Sequence, residues 1–238
     1  KRIMQLFHER IDRRVPAAYL IGEARFAGLD FYVDENVLVP RSPIAEPVEQ
    51  GFSPWLDPEH VGSVLDLCTG SGCIGIACAY VFPQALVDLS DISPAALDVA
   101  ARNIERHHLE GRVRALRADV YDGLDDERYD LIVSNPPYVS SAEMAQLPAE
   151  YRHEPELGLE AGDDGMDVVA RILSGAAGYL RPGGIMVVEV GASAELLMAR
   201  YPDVPFLWLD FERGGDGVFL LTAEQLDEFR DSFEENGA

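Results

Sequence analysis

From Val61 onward the chain repeats one rhythm: a short apolar run, a turn, then a helix-forming stretch. Residues 63–67, 85–89, 113–117, 130–134 and 185–190 read as buried strands bounded by turn residues. Residues 73–82, 94–107, 167–180 and 194–201 read as helices. Ser93 is placed to cap the second of these and Pro94 to open it. Arg181-Pro182-Gly183-Gly184 is placed to stop the third. Two further strands, 204–209 and 218–221, flank Gly214-Gly215-Asp216-Gly217. That turn is too short for a crossover helix, so the pair is expected to be antiparallel. The alternation predicts an α/β fold: a doubly wound, seven-stranded, mostly parallel sheet with an antiparallel edge strand. Ligands on such sheets bind outside the carboxyl ends of the strands. Residues 139–163 form a long polar stretch with little pattern.

Ahead of this region, residues 1–14 read as the end of a helix, with Ile3, Leu6 and Phe7 at helical spacing. Residues 17–39 alternate in strand fashion, with Gly28 as a hairpin turn, and Pro40, Pro43 and Pro47 then punctuate a loop and a helix start. Leu226, Phe229 and Phe233 suggest an amphipathic helix in the acidic tail. We divide the chain into a helix and β-hairpin region (1–50) and a sheet domain (51–238). No internal repeat is visible.

With 238 residues the chain is long enough for one large α/β domain and an appendage. No apolar run approaches the roughly 18 residues a membrane span needs, and no signal peptide is visible. Three cysteines, Cys68, Cys73 and Cys78, form neither a disulfide framework nor a zinc-ligand pattern, so they read as reduced thiols of a cytoplasmic protein. His107, His108 and His153 read as helix-end or loop residues, and no metal site is expected. The net charge is −23, and Lys1 is the sole lysine. Such a surface repels phosphate backbones, which counts against direct nucleic-acid binding, and would attract a basic protein. A plain solvated acidic surface would have the same composition.

Two motifs carry chemistry, and both fall at the predicted carboxyl edge of the sheet. The first is the turn Asp66-Leu67-Cys68-Thr69-Gly70-Ser71-Gly72-Cys73-Ile74-Gly75. Its glycines admit a ligand close to the backbone, and the helix start offers unpaired N–H groups. Gly70-x-Gly72-x-x-Gly75 suits NAD as well as S-adenosylmethionine (SAM), but Asp66-x-x-x-Gly70 favours SAM. Cys68, Thr69, Gly70, Ser71 and Gly72 are therefore expected against that cofactor. Asp91 ends the second strand, where a carboxylate can accept both ribose hydroxyls. Asp119 follows the third, placed to accept from an adenine amine, and Val120 would pack on the ring.

The second motif is Asn135-Pro136-Pro137-Tyr138, directly after the apolar run 129–134. It suits methyl transfer to a planar, weakly nucleophilic nitrogen. The Asn135 side-chain oxygen and the Pro136 carbonyl can accept two N–H groups, leaving the nitrogen lone pair toward the methyl donor. Asn135 is accordingly counted on the cofactor side as well. Pro136 and Pro137 stiffen the loop, and Tyr138 adds a ring face for stacking. Ser71 and Ser134 lack a partnered histidine, so nucleophilic catalysis is unsupported.

With these segments the chain resembles the protein-glutamine N5-methyltransferases of the HemK/Prm type. The resemblance extends over most of residues 15–222. It is carried by Val15-Pro16-Ala17-Ala18-Tyr19-Leu20-Ile21-Gly22-Glu23 together with Val39-Pro40-Arg41-Ser42-Pro43, by the glycine turn, and by the Asn135–Tyr138 loop. It implies a Rossmann-like class I SAM-dependent methyltransferase domain, a small hairpin, and an amino-terminal helical region of which most is missing here. Arg41-Ser42-Pro43-Ile44-Ala45-Glu46 looks like the branch acting on a large-subunit ribosomal protein of the uL3 type. The release-factor branch more often has Arg-x-Asp/Glu-Thr-Glu there. Pro47 departs from the usual apolar residue, whereas Glu154-Pro155 and Gly162-Asp163-Asp164-Gly165 are similar to the family's later segment. The implied activity is SAM-dependent N5-methylation of a glutamine in a basic ribosomal protein. Its rivals are glutamine methylation of release factors, methylation of exocyclic amines in DNA or rRNA, and a scaffold without turnover.

Overall fold

The structure is a computed structural model describing residues 2–236. It begins with helices α1 (Arg2–Ile11) and α2 (Ala17–Ile21) and a two-stranded hairpin, β1 (Glu23–Phe26) and β2 (Leu29–Tyr32). The hairpin turns on Ala27 and Gly28 at φ 46° and 77°, the paired positive φ that suits the twist of a two-residue connection. Helix α3 (Ala45–Glu49) leads into strand β3 (Ser63–Leu67), α4 (Cys73–Val81), β4 (Leu86–Asp91), α5 (Pro94–Arg106), β5 (Val113–Arg117) and β6 (Tyr129–Ser134). There follow α6 (Ser141–Met144), α7 (Asp167–Tyr179), β7 (Leu180–Glu189), α8 (Ala194–Arg200), β8 (Leu207–Trp208), β9 (Val218–Thr222), α9 (Ala223–Glu228) and α10 (Arg230–Asn236).

The seven-stranded sheet runs in the order β5-β4-β3-β6-β7-β9-β8. The pairs from β5 to β7 are parallel, while β9 runs antiparallel to both β7 and the two-residue β8 outside it. The central strand β3 is buried along its whole length, as expected of a parallel strand covered on both faces. One face packs on α4, α5 and the amino-terminal segment, with Phe31, Val48, Phe52, Ile76 and Phe82 in the core. The other packs on α7 and the carboxyl-terminal helices, through Ile172, Leu173, Leu226 and Phe233. The tail is thus part of the core.

Several expectations need correction. Residues 17–21 form a helix rather than a strand; five residues with Ala18 and Leu20 apolar fit either period. Arg181–Gly184 does not interrupt the chain between helix and strand. It is absorbed into β7 as a register shift opposite Tyr129 and Leu131. The strand expected at 204–209 shrinks to β8, where Pro205 supplies no N–H. The polar stretch 139–163 holds α6 and 3-10 turns at Ala149–His153 and Glu156–Gly158. It is fastened by Val139, whose N–H donates to the Leu159 carbonyl and whose carbonyl accepts from Ala161. Ser93 caps α5, with its hydroxyl accepting from the Ala96 N–H. His107 ends α5 against the Phe31 ring, and the three cysteines are unpaired.

Candidate active site

At the carboxyl edge of the sheet, a cavity of about 680 Å³ separates the glycine turn from the Asn135–Tyr138 loop. That volume lies in the roughly 300–1,000 Å³ range of pockets that hold a cofactor-sized molecule. Both motifs line it, as do Asp91, Asp119 and Val120. Gly72 is the one residue expected at the site that does not line it; it opens α4 at φ 80°. The remaining wall comes from residues 36–43, from 139–160, and from the exits of β7 and the β8–β9 loop.

The glycine turn is built around Asp66, the fourth residue of β3. Asp66 is buried, and its Oδ2 accepts from the Thr69 hydroxyl at 2.6 Å and the Gly75 N–H at 2.8 Å. Burial pushes its carboxyl up to about 7, against the pull of those two donors. Gly75 must be glycine because a Cβ there would sit 2.2 Å from a Leu89 methyl and 3.0 Å from the Asp66 Cβ. Helix and strand therefore meet closely enough to aim the first turn of α4 at the cavity. Cys68 and Val120 hold φ 56° at the ends of β3 and after β5. Left-handed backbone in a β-branched residue is strained, and both positions face the cavity.

Asp91, at the end of β4, accepts from the Gly70 N–H at 2.9 Å through Oδ2 and from the Ser93 N–H at 2.9 Å through Oδ1. Burial raises its carboxyl above the usual range. Each oxygen retains a lone pair for a hydroxyl donor. Asp119 is partly engaged already: its Oδ1 accepts from Arg171 on α7 at 2.8 Å. Asp88, two turns of the pleat inside β4, instead binds Arg114 and the Tyr129 hydroxyl and lies away from the site.

Asn135 is half-buried at the exit of β6, and among the described residues nothing in the protein hydrogen-bonds its carboxamide. Pro136 and Pro137 are buried behind it. Tyr138 turns its hydroxyl away to donate to Glu189 at 2.9 Å. The Ser134 hydroxyl donates to the Leu67 carbonyl, joining the loop's base to the glycine turn's strand.

Two residues that shape the site, Asn103 and Glu189, carried no recognisable motif. Asn103 of α5, fully buried, donates to the Ser71 carbonyl at 2.8 Å and the Tyr32 carbonyl at 2.9 Å, and accepts from the Tyr32 N–H at 2.7 Å. It clamps the glycine turn to the hairpin. Ser42 and Glu189 meet across the cavity wall. Asn103→Ala strands three buried backbone groups, so we expect about 2–3 kcal/mol of lost stability. Urea unfolding measures it, and SAM affinity should fall alongside.

Comparison with known proteins places this geometry. A family profile described as "Methyltransferase small domain" matches residues 52–150. A ribosomal protein uL3 glutamine methyltransferase from Francisella tularensis is 51% identical over 234 residues, covering 98% of this chain and 74% of that protein. The protein of the same description from Bordetella pertussis is 48% identical over 226 residues, covering 94% of this chain and 76% of its own length. The chain belongs to this glutamine methyltransferase family. Among solved structures, the hMettl16 catalytic domain superposes with a TM-score of 0.60 at 14% identity over 93% of this chain and 79% of that one. The T. thermophilus 16S rRNA N2 G1207 methyltransferase gives 0.58 at 23% identity over 84% of this chain and 49% of that one. Those likenesses establish the class I methyltransferase fold. As a methyltransferase of this fold, the chain uses SAM as its methyl donor.

Proposed function

We propose that the chain methylates the N5 nitrogen of a glutamine side chain in the large-subunit ribosomal protein uL3. The observation that carries the reading is the shared cavity: the glycine turn on one wall and the unengaged Asn135 carboxamide on another. SAM, when bound, supplies an electrophilic methyl carbon. The glycine turn, Cys68 to Ser71, would lie against it, with Asp91 taking the ribose hydroxyls. Asp119 and Val120 would border its adenine, with Asp119 using the oxygen that Arg171 leaves open.

The acceptor amide is a poor nucleophile because its lone pair is delocalised into the carbonyl. The Asn135 Oδ1 and the Pro136 carbonyl would each accept one of its N–H groups, fixing the nitrogen with its lone pair toward the donor. Tyr138 would wall the amide plane. Forming the N–C bond as the sulfonium S–C bond breaks would leave a neutral thioether and a strongly acidic nitrogen, which loses its proton to solvent without a dedicated base. Most of the acceleration then comes from position and from acceptors fixed beforehand.

The charge of −23 supports a basic protein as partner and speeds its approach, while disfavouring bare nucleic acid. Among the described residues no helix is long and apolar enough to cross a membrane, and a ribosomal substrate supports a cytoplasmic location. The test is incubation with isotopically labelled SAM and purified uL3, release factors, and rRNA, followed by mass spectrometry. We expect label on one uL3 glutamine. Label on release factors or nucleic acid, with none on uL3, would overturn the assignment.

A further inference from the structure

We propose that Glu189 is a positioning residue for methyl transfer, holding the Tyr138 ring and the Ser42 segment together as the acceptor wall of the cavity. The inference rests on reading Asn135–Tyr138 as the acceptor clamp. Glu189 is the last residue of β7, is 6% exposed, and borders the cavity. Its Oε1 accepts from the Tyr138 hydroxyl at 2.9 Å and its Oε2 from the Ser42 hydroxyl at 2.5 Å. Ser42 Oγ in turn accepts from the Ile44 N–H at 3.1 Å, which fixes the loop entering α3. A carboxylate this buried is tolerated only when its oxygens are satisfied, and these two donors satisfy them.

The same strand exit also confines the ring. A Cβ at Gly191 would lie 2.8 Å from the Tyr138 ring, and Gly191 holds φ 49°. Tyr138 is therefore pressed from one side and tied at its hydroxyl, so the loop that carries Asn135 cannot swing. The tie continues outward through Arg41, which donates to Glu154 at 2.7 Å and sits 4.7 Å from the Tyr151 ring centre. One carboxylate thus joins the β7 exit, the catalytic loop and the segment before α3.

Ionisation sets the strength of both ties. Burial raises the Glu189 carboxyl above the usual range; Ser42, Tyr138 and Arg41 oppose that, and Asp216 from the β8–β9 loop adds to it. The ionised form accepts from both hydroxyls in charge-assisted bonds, whereas the protonated form accepts from one and must donate to the other, so both ties weaken. Turnover should accordingly fall as pH drops through this raised pKa, and be full above it.

Steady-state methylation of uL3, SAM calorimetry and urea unfolding on wild type, Glu189→Ala and Glu189→Gln test the role. Glu189→Ala should lower kcat by about 10²-fold, the scale of a misplaced reacting group, with SAM affinity unchanged. Glu189→Gln has the donor and acceptor set of the protonated acid, so it should show the reduced low-pH turnover at every pH and lose the acid limb of the profile. It remains decisive if the alanine variant does not fold. Near-normal kcat in Glu189→Ala, or an unaltered acid limb in Glu189→Gln, overturns the role. The tie is also read without substrate: Glu189→Ala and Tyr138→Phe should be non-additive in unfolding free energy, and additivity counts against it. Coupling in a wild type that leaves uL3 unmethylated would sink the uL3 reading and keep the tie.

Discussion

Replacing Asn135 by alanine is expected to lower methyl-transfer turnover by about 10²-fold or more, with SAM affinity close to wild type. The magnitude follows from what the side chain does. A fixed acceptor that aligns a delocalised nitrogen acts mainly on the transition state, because its geometry matters most when the lone pair leaves the amide π system. The carboxamide has no partner among the described residues, so removing it unbalances nothing else in the loop. Pro136, Pro137 and the Ser134 hydrogen bond keep the backbone where it is. Single-turnover methylation separates the two effects, and a variant with ordinary turnover would remove Asn135 from the chemistry.

The second large effect is on the cofactor. Asp91→Ala should weaken SAM binding by about 10- to 100-fold, because hydrogen bonds to a charged acceptor contribute ~1.5–3 kcal/mol each. Two ribose hydroxyls would lose their acceptor, and the Gly70 N–H would lose the partner that shapes the turn. Calorimetric titration of SAM reads it directly. An unchanged dissociation constant would remove Asp91 from the cofactor site, whatever happened to kcat.

Much of this architecture was legible because its signals are local. The strands β3 to β6 announce themselves as apolar runs ended by turn residues, and Ser93-Pro94 marks the start of α5 within one residue. The glycine turn and the Asn135–Tyr138 loop are contiguous, so their spacing alone points to chemistry. Glu189, Asn103 and the partner of Ser42 were invisible for the opposite reason. Ser42 and Glu189 are 147 residues apart, Tyr138 and Glu189 are 51 apart, and Asn103 reaches 71 residues back to Tyr32. A Glu at a strand end or an Asn in a helix looks ordinary until the sheet order brings its partner close. The stretch 139–163 was opaque likewise, since Val139 and Leu159, not neighbours in sequence, define its course. Residues 17–21 went astray because one helical turn is too short to reveal its period.

The clamp from Asn103 to both Ser71 and Tyr32 has an engineering implication. Phe26 and Phe31 of the hairpin also sit in the main core. Truncating the enzyme to its seven strands and their helices would uncover aromatic surface and loosen the donor-side loop in the same stroke. Any minimal biocatalyst derived from this scaffold must keep the small amino-terminal ribbon, although that ribbon contributes no atom to the reaction itself.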